Sequence, residues 1–318
     1  MKHCFYHNDL DGHCAGAIVK LVHPDCEMHE INYGYDFNND VLGHIKSNAC
    51  DIFVVDFSFS PKEFDLLINE GHTVTWIDHH FTAIDKVTPD VMDNYDKLEG
   101  IWQTDKAGCE LTWGYFHENE AMPMAVYYVG RWDVWDHRNP STIPFHRGMT
   151  MLETDPANPD AIEGWRQLFD NNRSGKNKDW NLFDQVMNLG LISEKMKAEY
   201  DKYIAKNAYY VKDWVGYRTV ALNSKVYDSY CIFEYDGVFE VFDPEVLVWY
   251  YQTPDGNWLY QLRSYPGTTT DVSQIAKANG GGGHVGAAGF KSKNLLIKPT
   301  GLERKWSLFT NGVTHVKK

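Results

Sequence analysis

The first 135 or so residues alternate strand-like and helix-like segments, and this alternation constrains the fold more than any other feature. The strand-like runs are short and rich in β-branched and aromatic residues, as in Ile52–Val55 and Thr73–Ile77. Such runs are typical of strands buried on both faces of a parallel sheet. Because parallel neighbours need crossover connections, we predict an α/β fold with a doubly wound, mainly parallel sheet.

The individual elements follow from the same pattern. The predicted strands are Lys2–Tyr6, Glu27–Tyr33, Asp51–Asp56 and Thr73–Ile77, and the predicted helices are Cys14–Val22, Pro61–Asn69, Ala107–His117 and Pro123–Trp132. Ser60 is a suitable N-cap for the second helix, with a proline at its first position.

The pattern changes at about residue 139. A polar stretch over Asp170–Asp179 predicts a loop, and Val186–Tyr210 predicts a helix that connects two domains. Strands return after Tyr217, and Val272–Ala278 predicts a helix that ends at a run of four glycines. We therefore expect a first domain over 1–138, an insertion and connecting helix over 139–213, and a smaller α/β domain over 214–318.

Composition narrows the possible functions. Hydrophobic residues make up 43% of the chain and the formal net charge is −14. A protein that binds along a long nucleic acid usually presents a basic face to the phosphates. The negative net charge therefore favours small phosphorylated substrates over long nucleic acids. The six cysteines are scattered without a C-x-x-C pair, and no apolar run is long enough for a membrane span. Reduced thiols in a cytoplasm are the expectation.

Acidic and histidine side chains follow three predicted strands at the points where they end. They are His7, Asp9 and Asp11 after the first strand, Asp56 after the third, and Asp78, His79 and His80 after the fourth. Asp133 ends a predicted helix. Each alone is compatible with an ordinary turn or helix cap. Because the carboxyl ends of parallel strands share one edge, these side chains are expected to converge there. Aspartate and histidine together suit manganese or similar ions, and a carboxylate can bridge two metals.

A second constellation lies near residue 280. Consecutive glycines, Gly280–Gly283, expose backbone N–H groups to a phosphate, and Arg263 can bind phosphate through two hydrogen bonds. A helix C-cap followed by a loop explains four glycines equally well. The attached His284 and Ala287-Ala288-Gly289 favour the phosphate-binding interpretation.

On these motifs the chain resembles the DHH phosphoesterases that carry a DHH-associated second domain, and within them the oligoribonuclease (nanoRNase) branch. The resemblance covers roughly 1–135 and 215–290, and in the second part it depends on Gln261–Ser264, Asp271–Ala276 and Gly280–Gly289. Many members carry the first histidine four residues before the first aspartate, where this chain has Phe5. His7 is therefore a less secure ligand than Asp9 or Asp11.

The resemblance implies a role for each residue. One metal ion would bind His7, Asp9 and Asp56. The second would bind Asp11, His79 and Asp133, with Asp56 bridging both. His80 would lie close to the scissile phosphate, and Asp78 would orient an imidazole. The substrate's terminal phosphate or nucleotide would be held by Arg263, Ser264, Gly281, Gly282, Gly283 and His284.

The expected activity is hydrolysis of short RNA oligonucleotides to mononucleotides by a metal-activated water, with two divalent ions, Mn²⁺ being the expected metal. A cyclic-dinucleotide or pAp phosphohydrolase with the same apparatus is the alternative enzyme. A nucleotide sensor without hydrolytic activity is the alternative of another class. No membrane or long duplex nucleic acid is expected as partner, and oligomerisation stays open. Base stacking is one use for Trp102, Trp113, Trp132 and Trp135, and membership of the core is the other.

Overall fold

The computed structural model describes residues 1–46, 49–84, 98–170, 181–205, 209–225, 243–265, 267–297 and 303–304. The chain divides into two compact units, Met1–Glu194 and Lys195–Lys318. Most of the loop predicted over Asp170–Asp179, residues 206–208 and Cys231 lie outside the described residues. The predicted end of the helix Val186–Tyr210 is wrong, because the helix is described to Ala205 and Tyr209 and Tyr210 already belong to a strand.

The first unit is built on a five-stranded parallel sheet. Its strands are β1 (Lys2–His7), β2 (Glu27–Ile31), β3 (Asp51–Val55), β4 (Thr73–Asp78) and β5 (Leu98–Trp102). Their order across the sheet is β2-β1-β3-β4-β5, and every neighbouring pair is parallel. The α/β prediction with a mainly parallel sheet is confirmed.

Helices follow the strands in the same unit. They are α1 (Leu10–Val22), α2 (Pro61–Asn69), α3 (Phe81–Ile84), α4 (Gly108–Phe116), α5 (Met124–Asp133), α6 (Thr142–Met149) and α7 (Pro159–Phe169), and a π-helical segment spans Phe37–Leu42. The backbone N–H of Ser60 donates to Glu63 Oε2 at 2.7 Å, which ties down the start of α2 at its predicted position.

Both faces of the sheet are covered by apolar side chains. Successive residues of a strand point to opposite faces. Phe53 and Val55 accordingly belong to one buried cluster, together with residues of α1, α4 and α5. Ile52 and Val54 belong to the other, which contains residues of α2. The sheet is thus buried on both sides, and only its two rims can carry exposed chemistry.

The segment that follows residue 139 contributes to the core of the first unit. Phe145 and Met149 of α6 and Trp165 and Leu168 of α7 are buried in the same cluster as α1. The long helix α8 (Leu182–Ala205) adds the buried Val186. The domain boundaries at 138 and 213 remain predictions, since an insertion is able to pack on the domain that carries it.

The second unit contains a seven-stranded mixed sheet. Its elements are β6 (Tyr209–Trp214), β7 (Tyr217–Asn223), β8 (Val246–Gln252), β9 (Trp258–Ser264), α9 (Val272–Ala278), β10 (Gly282–His284), β11 (Ala287–Ser292) and β12 (Glu303–Arg304). The strand order is β10-β11-β9-β8-β7-β6-β12, and the pairing of β7 with β8 is parallel while the others are antiparallel. In the part of the chain that the structure describes, no helix has the length and apolar character needed to cross a bilayer.

Candidate metal centre

The candidate metal centre lies where β1, β3 and β4 end. These three strands are adjacent in the sheet, so the residues that follow them share one rim. From β1 the chain leads to β2 on one side of the sheet and then to β3 on the other. Open α/β sheets bind their ligands at such a reversal of strand order, outside the carboxyl ends of the strands.

His7 and Asp9 form the first part of the centre. Nδ1 of His7 lies 2.7 Å from Oδ2 of Asp9, and Oδ1 of Asp9 accepts a hydrogen bond from the Gly12 N–H at 2.9 Å, capping α1. Burial opposes ionisation of Asp9, but the hydrogen bonds from His7 and Gly12 outweigh it and lower the pKa of Asp9 to about 2. Asp9 is therefore an ionised carboxylate at neutral pH, and its oxygens can act as metal ligands.

Asp56 occupies the middle of the centre. It is 1% exposed, and its φ of 54° lies in the left-handed region that few non-glycine residues adopt. Its carboxylate lies 3.2 Å from His79 Nε2 and 3.9 Å from His7 Nδ1. Neither carboxylate oxygen receives a hydrogen bond from any residue that the structure describes. A buried carboxylate without donors is costly unless a cation neutralises it.

The pKa of Asp56 is raised well above its usual value. Burial is the largest cause, followed by the charges of Asp11 and Asp9. Burial and the charges of the same two aspartates raise the pKa of Asp133 to about 7. Carboxyl groups this close hold protons in competition with cations, so a bound divalent ion would displace those protons.

The second part of the centre comprises Asp11, His79 and Asp133. Nε2 of His79 lies 3.4 Å from Asp133 Oδ2 and 3.8 Å from Asp11 Oδ2. Asp11 is 2% exposed and accepts hydrogen bonds from the N–H groups of Gly108 at 2.7 Å and Cys109 at 2.9 Å. The N-terminus of α4 thus stabilises the negative charge of Asp11 and fixes its orientation.

Gly108 is also required for space. A Cβ at this position would lie 2.6 Å from Oδ1 of Asp56 and 2.6 Å from its Cβ. The absent side chain lets the start of α4 approach the carboxylate directly. The sequence pattern did not single out Gly108, because its contact with Asp11 spans 97 residues of chain.

Asp78 and His80 lie next to the candidate metal ligands and are hydrogen-bonded to each other. Asp78 is fully buried, and its Oδ1 accepts hydrogen bonds from the N–H groups of His79 and His80 at 2.8 and 3.2 Å. Nδ1 of His80 lies 2.7 Å from the same oxygen. This hydrogen bond raises the pKa of His80 despite partial burial. Asp78 therefore fixes the orientation of His80 and directs its Nδ1 proton, which leaves Nε2 free to face another group.

The residues fit two divalent cations. At this rim, potential ligand atoms lie within 4.8 Å of one another in three groups, which are His7, Asp9 and Asp56; Asp11, His79 and Asp133; and Asp56, His79 and His80. The unpaired oxygens of Asp56 are the feature that a shared cation pair would satisfy. The structure thus brings all eight first-domain site residues predicted from the sequence to one rim.

Two further features of the centre had no signal in the sequence pattern. Glu110 of α4 and Arg131 of α5 form a partly buried ion pair that joins the helix bonded to Asp11 to the helix that ends at Asp133. Tyr33 is 65% exposed, and its ring centroid lies 5.4 Å from that of His7.

A separate histidine group lies away from this rim, on β1 and β2. Nδ1 of the fully buried His3 lies 3.1 Å from His29 Nε2 and 3.6 Å from Glu27 Oε2. Burial lowers the pKa of His3, and burial and the neighbouring His44 lower the pKa of His29 to about 4. Both imidazoles are therefore neutral at physiological pH.

In the second unit, the predicted substrate residues lie at the end of β9 and in and just before β10, and β11 lies between these two strands. Ala287 of β11 pairs with Arg263 of β9 on one side and with His284 of β10 on the other, and the Ser264 N–H donates to Gly286 O at 3.1 Å. The guanidinium of Arg263 lies 5.2 Å above the Trp249 ring.

The glycine run has two parts. Gly280, at φ 79°, follows the C-cap of α9, and Gly281 donates to Ala276 O at 2.9 Å, so the first two glycines end the helix. Gly282 and Gly283 belong to β10 and are exposed. A Cβ at Gly281 or Gly283 would clash with the backbone of β11, whereas one at Gly282 would meet nothing within 4 Å.

Comparison with known proteins places few constraints on this chain. No family model matches it. An uncharacterized protein of Acanthamoeba polyphaga mimivirus is 25% identical over 264 residues, which cover 80% of this chain and 55% of the relative. The chain thus spans about half the length of the curated relative that it matches.

Several solved structures resemble the chain over most of its length. A pGpG-specific phosphodiesterase of Vibrio cholerae is 12% identical with a TM-score of 0.42, covering 92% of this chain and 93% of that one. The DHH domain of a member of a ribosomal-protein family is 14% identical with a TM-score of 0.45, covering 90% and 81%. Exonuclease RecJ bound to manganese is 15% identical with a TM-score of 0.39, covering 91% and 84%. With TM-scores below 0.5, these likenesses carry no argument about function, which rests on the centre itself.

Proposed function

We propose that this chain is a metal-dependent phosphodiesterase of the DHH type, which hydrolyses short RNA oligonucleotides to mononucleotides in a cytoplasm. One observation carries the proposal. The buried Asp56 carboxylate has no hydrogen-bond donor among the described residues, and it stands between two sets of further oxygen and nitrogen ligands. A carboxylate with ligands on both sides is the arrangement that a two-metal hydrolase requires.

The residues of the centre are assigned to two cations. One cation would be held by His7, Asp9 and Asp56, and the other by Asp11, His79 and Asp133 together with the shared Asp56. Such a pair supplies Lewis-acid stabilisation of the phosphoryl oxygens and lowers the pKa of a bound water. Mn²⁺ suits a set of carboxylate and imidazole ligands.

His80 is the group proposed to contact the scissile phosphate. Asp78 holds its Nδ1 at 2.7 Å, so that Nε2 is the nitrogen left to face substrate. The raised pKa of His80 favours a cationic ring, which attracts a phosphate anion. In the second unit we propose that Arg263, Ser264, Gly281, Gly282, Gly283 and His284 bind a terminal phosphate of the substrate.

The acidic character of the chain supports a short substrate. A protein with a net charge of −14 would repel a long nucleic acid that contacts it through many phosphates. A substrate with one scissile phosphate and one terminal phosphate needs few contacts. Cyclic dinucleotides and pAp also meet this description and form the comparison set for the assay.

A product-resolved assay tests the proposal. Purified protein with Mn²⁺ is given RNA of two to five nucleotides, longer RNA, DNA, pAp and cyclic dinucleotides. Fastest release of mononucleotides from the shortest RNA is expected. Preference for the longest RNA contradicts the nanoRNase assignment, and saturable metal binding without hydrolysis of any substrate indicates a sensor.

A further inference from the structure

Trp135 occupies a position where the backbone favours glycine. After α5 the Asp136 N–H donates to Arg131 O at 2.8 Å and the Trp135 N–H donates to Trp132 O at 3.1 Å. This pair of bonds is the Schellman helix ending, whose first residue past the cap is left-handed and usually glycine. Trp135 has a φ of 57° there. A bulky side chain in this conformation strains the backbone.

The strain is not offset by burial of the ring. Trp135 is 80% exposed, more than any other large hydrophobic side chain among the described residues. By contrast, Trp113 is 7% exposed and belongs to the core. An exposed aromatic ring at a strained position gains nothing for stability, and such conflicts mark functional sites.

The ring stands at the end of a stack of aromatic side chains. Trp132 lies over His146 with ring centroids 3.9 Å apart and planes 13° apart. His137 stacks on Trp132 at 4.8 Å and 19°, and Trp135 follows at 5.4 Å from His137. The planes of Trp132 and Trp135 differ by 23°. Trp135 thus lies beside the stack, 6.3 Å from Trp132 between ring centroids, and most of its ring surface is open to solvent.

The stack adjoins the candidate metal centre. Asp133, whose Oδ2 lies 3.4 Å from His79 Nε2, lies between Trp132 and Trp135 in the chain. Two residues of backbone place the Cα atoms of Asp133 and Trp135 within about 7.6 Å of each other. The Trp135 side chain is therefore carried by the backbone that directly follows a residue of the candidate metal centre.

We propose that Trp135 is the stacking platform for a nucleobase of the substrate, namely the base of the nucleoside next to the scissile phosphate. This inference rests on the proposed function and deepens it, because it requires a nucleobase and not only a phosphodiester. Every base has a π-face, so the platform selects bases as a class without selecting a sequence.

Abasic substrates test the proposal. The substrates are a ribodinucleotide and its two versions in which one or the other base is absent. Stacking on an aromatic side chain is worth roughly 1–3 kcal/mol per base, which converts to a change of about 5-fold to 150-fold. Trp135→Ala is expected to lower kcat/KM by that factor on the complete dinucleotide, and to have no effect on the substrate that lacks the stacked base.

Matched variants separate stacking from folding. Trp135→Phe keeps a ring and should retain most of the activity. Trp135→Gly removes the ring and supplies the residue that the helix ending favours, so it should melt no lower than the wild type while losing the same factor as Trp135→Ala. Tyr200→Ala removes another exposed aromatic side chain, from α8, and should leave all rates unchanged.

A binding measurement does not depend on turnover. In equilibrium dialysis with Mn²⁺, the wild type should bind a nucleoside 5′-monophosphate about 5-fold to 150-fold more tightly than ribose 5-phosphate, and Trp135→Ala should abolish this difference. Equal losses on all three dinucleotide substrates, or no loss on any, would overturn the platform. If the wild type hydrolyses no dinucleotide but keeps the preference for the base, the proposed hydrolysis fails and the platform stands.

Discussion

Nε2 of His79 lies 3.2 Å from Oδ1 of Asp56, and these two residues follow adjacent parallel strands. The sheet therefore places an imidazole and a carboxylate at a separation suited to two ligands of one cation. Asp56 also faces His7 at 3.9 Å, so its carboxylate is shared between two ligand sets.

The shared carboxylate leads to the first prediction. Asp56→Asn keeps the shape of the side chain but removes the charge, so hydrolysis in saturating Mn²⁺ should fall by on the order of 10³-fold or more. Without divalent ions the variant should melt higher than the wild type, because folding no longer requires a buried carboxyl group to take up a proton or to remain charged without a partner. Asp25→Asn, at an exposed position, is the matched control. Wild-type turnover in Asp56→Asn would contradict the bridging role.

The raised pKa of Asp133 gives the second prediction, a dependence of stability on pH. Its carboxyl has a pKa of about 7 in the folded protein, above its usual 3.8. Between these values the folded chain holds a proton that the unfolded chain has released, so this group's contribution to stability falls as pH rises. In chelator, the melting temperature of Asp133→Asn relative to wild type should therefore increase from about pH 4 to about pH 7.

Melting curves at several pH values, with and without Mn²⁺, check this expectation. With Mn²⁺ the order should reverse, since an amide is a weaker ligand than a carboxylate. A difference in melting temperature between the two proteins that stays constant across this pH range would show that the neighbouring carboxylates do not raise the pKa of Asp133.

The third prediction concerns Asp78 as a positioning residue. In Asp78→Asn the side-chain amide can present an N–H group in place of the carboxylate oxygen that now accepts from His80 Nδ1. The tautomer and the orientation of the His80 imidazole are then no longer fixed. Activity should fall about 10-fold to 100-fold, in kcat more than in KM. The pH profile of kcat should shift as well, because the Asp78 hydrogen bond raises the pKa of His80. An unchanged profile with normal folding would refute the positioning role.

The fourth prediction uses two glycines of the same helix. Gly108→Ala would place a methyl group 2.6 Å from Asp56 Oδ1, and activity should fall at least about 10-fold as the carboxylate shifts. Gly114→Ala meets nothing within 4 Å and should stabilise α4 by about 0.5–1 kcal/mol without changing the rate. Equal activity of the two variants would show that the approach of Gly108 to Asp56 is unimportant.

The extent to which sequence predicted this structure depends on how local each feature is. The ends of β3 and β4 follow from apolar runs that stop at Asp56 and Asp78, and the helix Pro61–Asn69 matches its prediction because cap and proline mark its start. Convergence of the aspartates followed from the parallel order of the strands alone.

Other features depend on distant contacts that no local pattern encodes. Gly108 approaches Asp56 from a helix that begins more than fifty residues later. The helices after residue 139 pack into the first core through Phe145 and Trp165, which a reading by polarity could not place. Exposure of Trp135 depends on the left-handed helix ending, whose usual glycine is absent from the sequence.

The position of the bound metal is the most direct test of the central claim. Crystals grown with Mn²⁺ should show two anomalous difference peaks about 3.5–4 Å apart, one on each side of the Asp56 carboxylate. One peak should contact His7 and Asp9, and the other Asp11, His79 and Asp133. A single peak, or peaks that leave Asp56 without a metal, would contradict the two-metal centre.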